Sequence, residues 1–112
     1  RHPARMANAP SGTAAMLAEG VSEGLMGEVA SKEVFPGVMG AKIRGVQTIS
    51  QRMPYPGPFS EHEITLGRQD ETIRVTVTDF TSGVYLDGIF LAIKKVGESP
   101  RGTLIRTLDE VL

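Results

Sequence analysis

The sequence predicts an α+β domain in which helices cover one face of a small β-sheet. Two stretches carry apolar residues at helical spacing, and a stretch between them alternates apolar and polar residues with a period of two. The chain has 112 residues, which suits a single domain around one core. Helices grouped on one side of such a sheet define the α+β class.

The first helix is predicted to follow an extended lead-in over residues 1–10, which contains two prolines and no periodic pattern. Ser11 or Thr13 can cap its start, because a side-chain oxygen there accepts a free backbone N–H. Gly27 is expected to end the helix. An apolar stripe runs along it, made of Ala14, Leu17, Ala18, Val21 and Leu25.

A loop and a strand are predicted next. Residues 27–40 contain the turn signal Pro36-Gly37, and residues 41–51 are rich in β-branched side chains. The following stretch, "RMPYPGP" at 52–58, has three prolines in seven residues. It is therefore expected to be an ordered surface loop or an insertion rather than a central strand or a helix interior.

A β-hairpin is predicted from residue 59 to residue 80. Residues 59–66 form its first strand, "GRQD" at 67–70 its turn, and residues 71–80 its second strand. In the second strand Ile73, Val75 and Val77 alternate with threonines and Arg74, which indicates one buried and one polar face. The Thr/Arg face is a candidate for contact with another subunit.

A second helix is predicted over residues 83–96, with candidate caps at Asp79, Thr81 and Ser82. Gly97 is expected to stop it and Pro100 to follow. Its apolar stripe consists of Leu86, Ile89, Phe90 and Ile93. The tail, residues 103–112, is amphipathic and predicts one or two helical turns.

The composition narrows the functional classes. The formal net charge is −1 and no basic stripe is present, which disfavours a nucleic-acid partner. Because cysteine is absent, thiolate metal sites, disulfides and cysteine nucleophiles are excluded, as expected in a reducing compartment. No apolar run approaches the roughly 18 residues of a membrane span, and the first residues, Arg-His-Pro, are not followed by the apolar core of a signal peptide. No P-loop, GxGxxG or HExxH motif is found, so neither a metal site nor a dinucleotide site is predicted in this chain.

Three short segments contain candidate ligand-binding or catalytic residues. Ser11-Gly12-Thr13 suits a carboxylate or a phosphate at a helix N-terminus, although the same residues can simply cap the helix. His2 is a candidate general acid or base, because its ordinary pKa lies near neutrality, although a histidine near a terminus is often only exposed. His62, flanked by Glu61 and Glu63, favours a structural or supporting role.

These residues lie within a resemblance to the dihydrodipicolinate reductase family. "HPARMANAPSGTAAMLAE" at 2–19 resembles the family signature Glu-x-His-His-x-x-Lys-x-Asp-Ala-Pro-Ser-Gly-Thr-Ala, which a helix follows. "PGVMGAKIRGVQTIS" at 36–50 is loosely similar to its Pro-Gly-x-Ile-Gly segment, and "SEHEITL" at 60–66 to its Gly-Glu-His strand. "ETIRVTVTDF", "LDGIFLAI" and the tail follow in the family's order.

The resemblance implies that residues 1–112 form a single C-terminal domain that binds substrate and assembles a homotetramer through a mixed β-sheet. It implies that a Rossmann domain outside this chain binds NADPH or NADH. The implied reaction is hydride transfer to a cyclic unsaturated dicarboxylate in lysine biosynthesis, in the cytoplasm. His2 then assists protonation as the catalytic residue, and Ser11, Gly12 and Thr13 bind a substrate carboxylate.

The chain departs from the family pattern at several positions. Pro3 replaces the second histidine, Met6 the substrate-binding lysine and Asn8 the aspartate; Arg5 lies beside the lysine position. Downstream, Val77 and Ser82 stand where the family tends to have histidine and arginine. These departures keep two alternatives open: a diverged paralogue acting on another substrate, and a non-catalytic oligomerisation module. A strand followed by GxGxxG upstream of Arg1 would favour a reductase.

Overall fold

The computed structural model describes residues 1–54, 57–110 and 112. The predicted α+β class is confirmed: two α-helices accompany three two-stranded ladders in the described part of the chain. In chain order the elements are β1 (His2–Pro3), α1 (Gly12–Ser22), β2 (Ala41–Ile43), β3 (Val46–Thr48), β4 (Arg52–Met53), β5 (Ser60–Arg68), β6 (Glu71–Asp79) and α2 (Leu86–Glu98).

Helix α1 starts where the sequence predicts and ends earlier. Ser11 is its N-cap, with an extended backbone and a side chain that accepts the N–H of Ala14 at 3.2 Å. The predicted end at Gly27 is wrong, because the backbone tightens after Ser22 into bonds three residues apart, the last of them from Leu25 N–H to the Ser22 carbonyl. The helix packs on β2 and β3.

The strand predicted over residues 41–51 is instead a tight hairpin. Arg44 and Gly45 have φ values of 47° and 84°, and they turn the chain between β2 and β3. Two consecutive positive φ values produce the type I′ turn that matches the twist of paired strands. Gly45 provides this conformation without strain, and β-branched composition alone does not reveal the turn.

The predicted β5–β6 hairpin is confirmed, with its turn reduced to Gln69 and Asp70. Its polar face is internally paired: Thr78 Oγ1 donates to Glu61 Oε2 at 3.0 Å, and Arg74 Nε lies 3.2 Å from Glu63 Oε1. The expectation that its apolar face is buried is wrong within this chain. Four side chains on that face are between 47% and 55% exposed, namely Leu66, Ile73, Val75 and Val77.

The second helix is preceded by a 3₁₀ turn at Ser82–Tyr85, which Thr81 caps through the N–H of Gly83 at 3.2 Å. The predicted stop at Gly97 is wrong, since α2 runs through it to Glu98. The stripe on α2 is exposed rather than packed on a sheet: Leu86, Ile89, Phe90 and Ile93 are each about half exposed or more. The tail contains one 3₁₀ turn at Leu108–Glu110.

The proline-rich stretch begins with a short strand. Its first residues, Arg52 and Met53, form β4 and pair in parallel with His2 and Pro3 of β1. Its central residues, Tyr55 and Pro56, lie outside the described residues, so the loop or insertion predicted there stays a prediction.

The chain leaves a large surface uncovered. Its accessible area is 9140 Å², whereas a folded monomer of 12.0 kDa exposes about 6000 Å². Ala18 is the one apolar residue of the described chain that is buried. Among the described residues, no helix has the length and apolar character to span a membrane.

Candidate carboxylate-binding site

The two histidines of the sequence lie side by side. Backbone bonds hold the first residues on two sides: His2 N–H donates to the Gln51 carbonyl at 3.1 Å, and Glu61 N–H donates to the Arg1 carbonyl at 2.8 Å. This arrangement places the ring of His2 against that of His62, with ring centroids 5.1 Å apart and an edge-to-face angle of 76°. The predicted lead-in over residues 1–10 thus contains a short strand that builds the site.

A cavity of about 280 Å³ opens beside this histidine pair. The N-terminus of α1 forms one side of it, through Ser11, Gly12 and Thr13. In an α-helix the N–H groups of the first turn have no intrahelical acceptor, and the dipole makes this end positive. These groups therefore suit a small anion such as a carboxylate.

Ser11 links the helix cap to the histidines. Its Oγ accepts from Ala14 N–H and also lies 3.5 Å from Nε2 of His62. The residue is buried, so its hydroxyl is held within the cavity wall. This segment can cap the helix and bind a ligand at the same time. The cap uses the N–H of Ala14 and leaves the N–H groups of Gly12 and Thr13 without helical partners.

A hydrogen-bonded cluster lies behind the part of the wall formed by Ser60 and Tyr85. Ser60 Oγ donates to Asp79 Oδ2 at 2.6 Å, and Tyr85 OH donates to the same oxygen at 3.1 Å. Ser60 is only 3% exposed, and Tyr85 also contacts Phe59 edge-to-face with centroids 6.3 Å apart. The Asp79 carboxylate thus lies directly behind two residues that line the cavity.

The rest of the lining is apolar and comes from Met6, Phe59 and Tyr85. The loop that presents Met6 is fixed by Arg52, whose Nε donates to the Met6 carbonyl at 2.9 Å and whose Nη2 donates to the Asn8 carbonyl. Arg5, next to Met6, is exposed and is not part of the cavity lining. The fixed loop therefore offers a thioether, not a cation, to the cavity.

The pKa values of both histidines are lowered, which favours the neutral imidazole. Burial lowers the pKa of His2 from its ordinary value, and the nearby Arg52 guanidinium lowers it further. Burial also lowers the pKa of His62, with an opposing contribution from the Asp79 carboxylate. An anion entering the cavity favours the charged imidazolium and raises these pKa values.

The structure brings the predicted residues His2, Ser11, Gly12 and Thr13 to one cavity. It adds residues that the sequence did not point to as lining the site: Phe59, Ser60, His62 and Tyr85. The alternation of β5 puts Ser60 and His62 on one face, which is a usable signal. Nothing local in the sequence indicates that this face meets the start of the chain.

The cavity fits a small molecule and not a dinucleotide. Its volume is at the lower limit of cavities that hold drug-sized ligands, and the sequence lacks a glycine-rich pyrophosphate loop. A larger cavity of about 380 Å³ lies between the 29–33 segment and the β2–β3 hairpin. Its carboxylate, Glu33, already accepts the N–H groups of Gly37 and Met39 at 2.8 and 2.9 Å, which ties it to the loop.

Comparisons with known proteins show the family of this chain. Residues 1–112 match the family model described as "Dihydrodipicolinate reductase, C-terminus". A 4-hydroxy-tetrahydrodipicolinate reductase of Carboxydothermus hydrogenoformans is 33% identical over 108 residues, 94% of this chain and 40% of the relative. The reductase of Bacillus subtilis is 29% identical over 85% of this chain and 36% of the relative. That of Lactococcus lactis is 33% identical over 80% of this chain and 35% of the relative. The chain spans about two fifths of the length of the curated relatives it matches.

Proposed function

This chain belongs to the dihydrodipicolinate reductase family, in its C-terminal domain, and from that premise we propose that it is the substrate-binding domain of an NAD(P)H-dependent reductase. The substrate is an unsaturated cyclic carboxylate, of the class to which the relatives' 4-hydroxy-tetrahydrodipicolinate belongs. One observation carries the proposal: the buried residue His2 and the N-terminus of α1 line the same small cavity.

In this proposal the N-terminus of α1 binds a substrate carboxylate and His2 supplies the proton. The N–H groups of Gly12 and Thr13 and the hydroxyl groups of Ser11 and Thr13 are the donors. His2 is neutral before the anion binds, and the bound negative charge raises its pKa so that it can hold and transfer a proton. A histidine that titrates near neutral pH suits such general acid catalysis.

The cofactor, NADPH or NADH, is proposed to bind to a Rossmann domain outside these 112 residues. The described cavity does not fit a dinucleotide, so this chain's proposed part is limited to substrate binding and proton transfer. No step through the nicotinamide follows from the residues described here.

Assembly into a homotetramer through the β5–β6 hairpin is proposed as well. The support is the exposed apolar face of the hairpin and a surface about 3000 Å² larger than expected for a monomer of this mass. The apolar face replaces the Thr/Arg face as the proposed interface, because the polar groups on the latter already pair with each other.

The proposal is tested with the full-length protein that contains this chain. We expect oxidation of NADPH or NADH, followed by absorbance, when unsaturated cyclic carboxylates are supplied. His2→Asn, which keeps size and neutrality but cannot transfer the proton, should lower kcat by about 100-fold or more, the usual range for general acid catalysis. Met26→Ala, at a fully exposed position away from the cavity, is the matched control and should change nothing.

Two results would contradict the proposal. If the full-length protein binds neither nicotinamide cofactor, the oligomerisation module becomes the better reading. If His2→Asn reacts at the normal rate, the proton comes from another group. The isolated 112-residue chain is expected to be inactive in the same assay.

A further inference from the structure

The cavity presents one anion-binding end and no second one. The N-terminus of α1 lies on one side, and the other lining residues are the two histidines, Ser60, and the apolar side chains of Met6, Phe59 and Tyr85. No lysine or arginine is among the lining residues of the described chain. A second ligand carboxylate would therefore meet apolar surface rather than a cation.

Of the neighbouring cations, Arg5 is exposed and outside the cavity lining, and Arg52 and Arg1 are committed to other groups. Arg52 binds the carbonyls of Met6, Asn8 and Gln51, so its guanidinium holds the loop in place. Arg1 pairs with the Glu61 carboxylate and also donates to Gln51. Each would have to give up existing hydrogen bonds in order to reach into the cavity.

The nearest carboxylate also opposes a doubly charged ligand. Asp79 Oδ2 accepts from both Ser60 and Tyr85, whose side chains line the cavity. A negative charge directly behind that wall repels a second anion on the same side, and partial burial makes the repulsion stronger than in water.

His2 brings polar atoms to this cavity. The residue is only 7% exposed and lines the cavity. Its ring packs edge-to-face on that of His62. A neutral imidazole has one nitrogen that donates and one that accepts, so the ring can bond to a ligand in the cavity.

We propose that this cavity accepts an unsaturated ring ligand with a single carboxylate, held by the N-terminus of α1 and by an apolar wall of Met6, Phe59 and Tyr85. This inference rests on the proposed reductase function and specifies its substrate class, which differs from the dicarboxylate that the family resemblance implies. Met6 is then a specificity-determining residue, because it occupies the position at which a cation would bind the second carboxylate.

The test compares two ring ligands that differ by one carboxylate: pyridine-2-carboxylate and pyridine-2,6-dicarboxylate. Their affinities for the full-length protein are measured by isothermal titration calorimetry. We expect the monocarboxylate to bind at least as tightly as the dicarboxylate. Met6→Lys should tighten the dicarboxylate about tenfold or more, as a charge-assisted hydrogen bond does, and leave the monocarboxylate almost unchanged.

Two further variants make the test specific. Met6→Leu keeps the apolar wall and should preserve the preference for the monocarboxylate. Asp79→Asn removes the charge behind the wall while keeping an acceptor for Ser60 and Tyr85, and it should tighten the dicarboxylate selectively. This variant reports on charge even if Met6→Lys fails to fold.

The outcomes separate the inference from the function on which it rests. A dicarboxylate that binds the unaltered protein tenfold tighter than the monocarboxylate overturns the inference and leaves the reductase proposal intact. If neither ligand binds, the carboxylate site itself is wrong, and both proposals fail. A Met6→Lys protein that folds but shows no gain for the dicarboxylate also overturns the role given to Met6.

Discussion

Replacement of Ser11 by alanine separates the two tasks of this side chain. Ser11 Oγ accepts the N–H of Ala14 at 3.2 Å as the N-cap of α1, and loss of such a cap costs about 1 kcal/mol. Its contact with Nε2 of His62 is long, at 3.5 Å, so it adds little to this figure. A loss of about 1 kcal/mol corresponds to a decrease in Tm of roughly 4–8 °C for a domain near this size.

The assay for Ser11→Ala combines thermal unfolding, followed by circular dichroism, with calorimetric binding of pyridine-2-carboxylate. Both Tm and affinity should fall. Ser11→Asp is the informative companion, since aspartate caps a helix as well as serine does but places a negative charge at the carboxylate position. It should retain most of the Tm and lose binding by about tenfold or more, the scale of a charged contact.

The Ser11 variants have a matched control, and two outcomes would contradict the roles given to Ser11. Thr107→Ala removes a side-chain hydrogen bond to Glu110 in the tail, outside the cavity lining, so it should leave binding unchanged. If Ser11→Asp binds the monocarboxylate as tightly as the unaltered protein, the anion does not sit at the N-terminus of α1. If Ser11→Ala leaves Tm unchanged, the capping energy assigned here is wrong.

Two further predictions concern pH and assembly. Burial lowers the pKa of His2 and His62 in the folded state. The unfolded chain therefore binds more protons as pH falls below about 6.5, and the free energy of unfolding should decrease there. Urea denaturation from pH 8 to pH 5 measures this free energy; a flat profile would contradict the prediction, and the double variant with asparagine at both positions should flatten the profile. Val75→Lys, on the exposed apolar face of the β5–β6 hairpin, should reduce the molar mass measured by light scattering. Thr76→Lys, on the opposite face, should leave the molar mass unchanged. Equal masses for the two variants would exclude the apolar face as the interface.

Short-range chemistry made much of the fold predictable. The start of α1 follows from the hydroxyl of Ser11, which caps the adjacent turn, and the β5–β6 hairpin follows from alternation around a polar turn. The end of α1, the course of α2 through Gly97 and the turn at Arg44-Gly45 were not predicted. Each depends on a backbone choice that composition permits but does not require.

The candidate site was only half predictable. His2 and the Ser11–Thr13 segment stand out in the sequence as chemically capable groups. Their companion His62 lies 60 positions beyond His2, on a strand whose own pattern does not indicate which part of the chain it meets. The absence of a cation likewise became interpretable only when Arg52 was found bound to the backbone of the Met6 loop.

The sequence by itself determined the α+β class, the capped start of α1, the long hairpin and the family, because capping, alternation and motif matches are properties of neighbouring residues. Only the tertiary structure decided that β1 pairs with β4 and bonds to Glu61, which sets His2 against His62 and closes the cavity. It also decided that the apolar face of the hairpin remains uncovered in this chain. The physical reason is the same for both: long-range backbone pairing and burial depend on where distant segments meet, which local side-chain preferences do not specify.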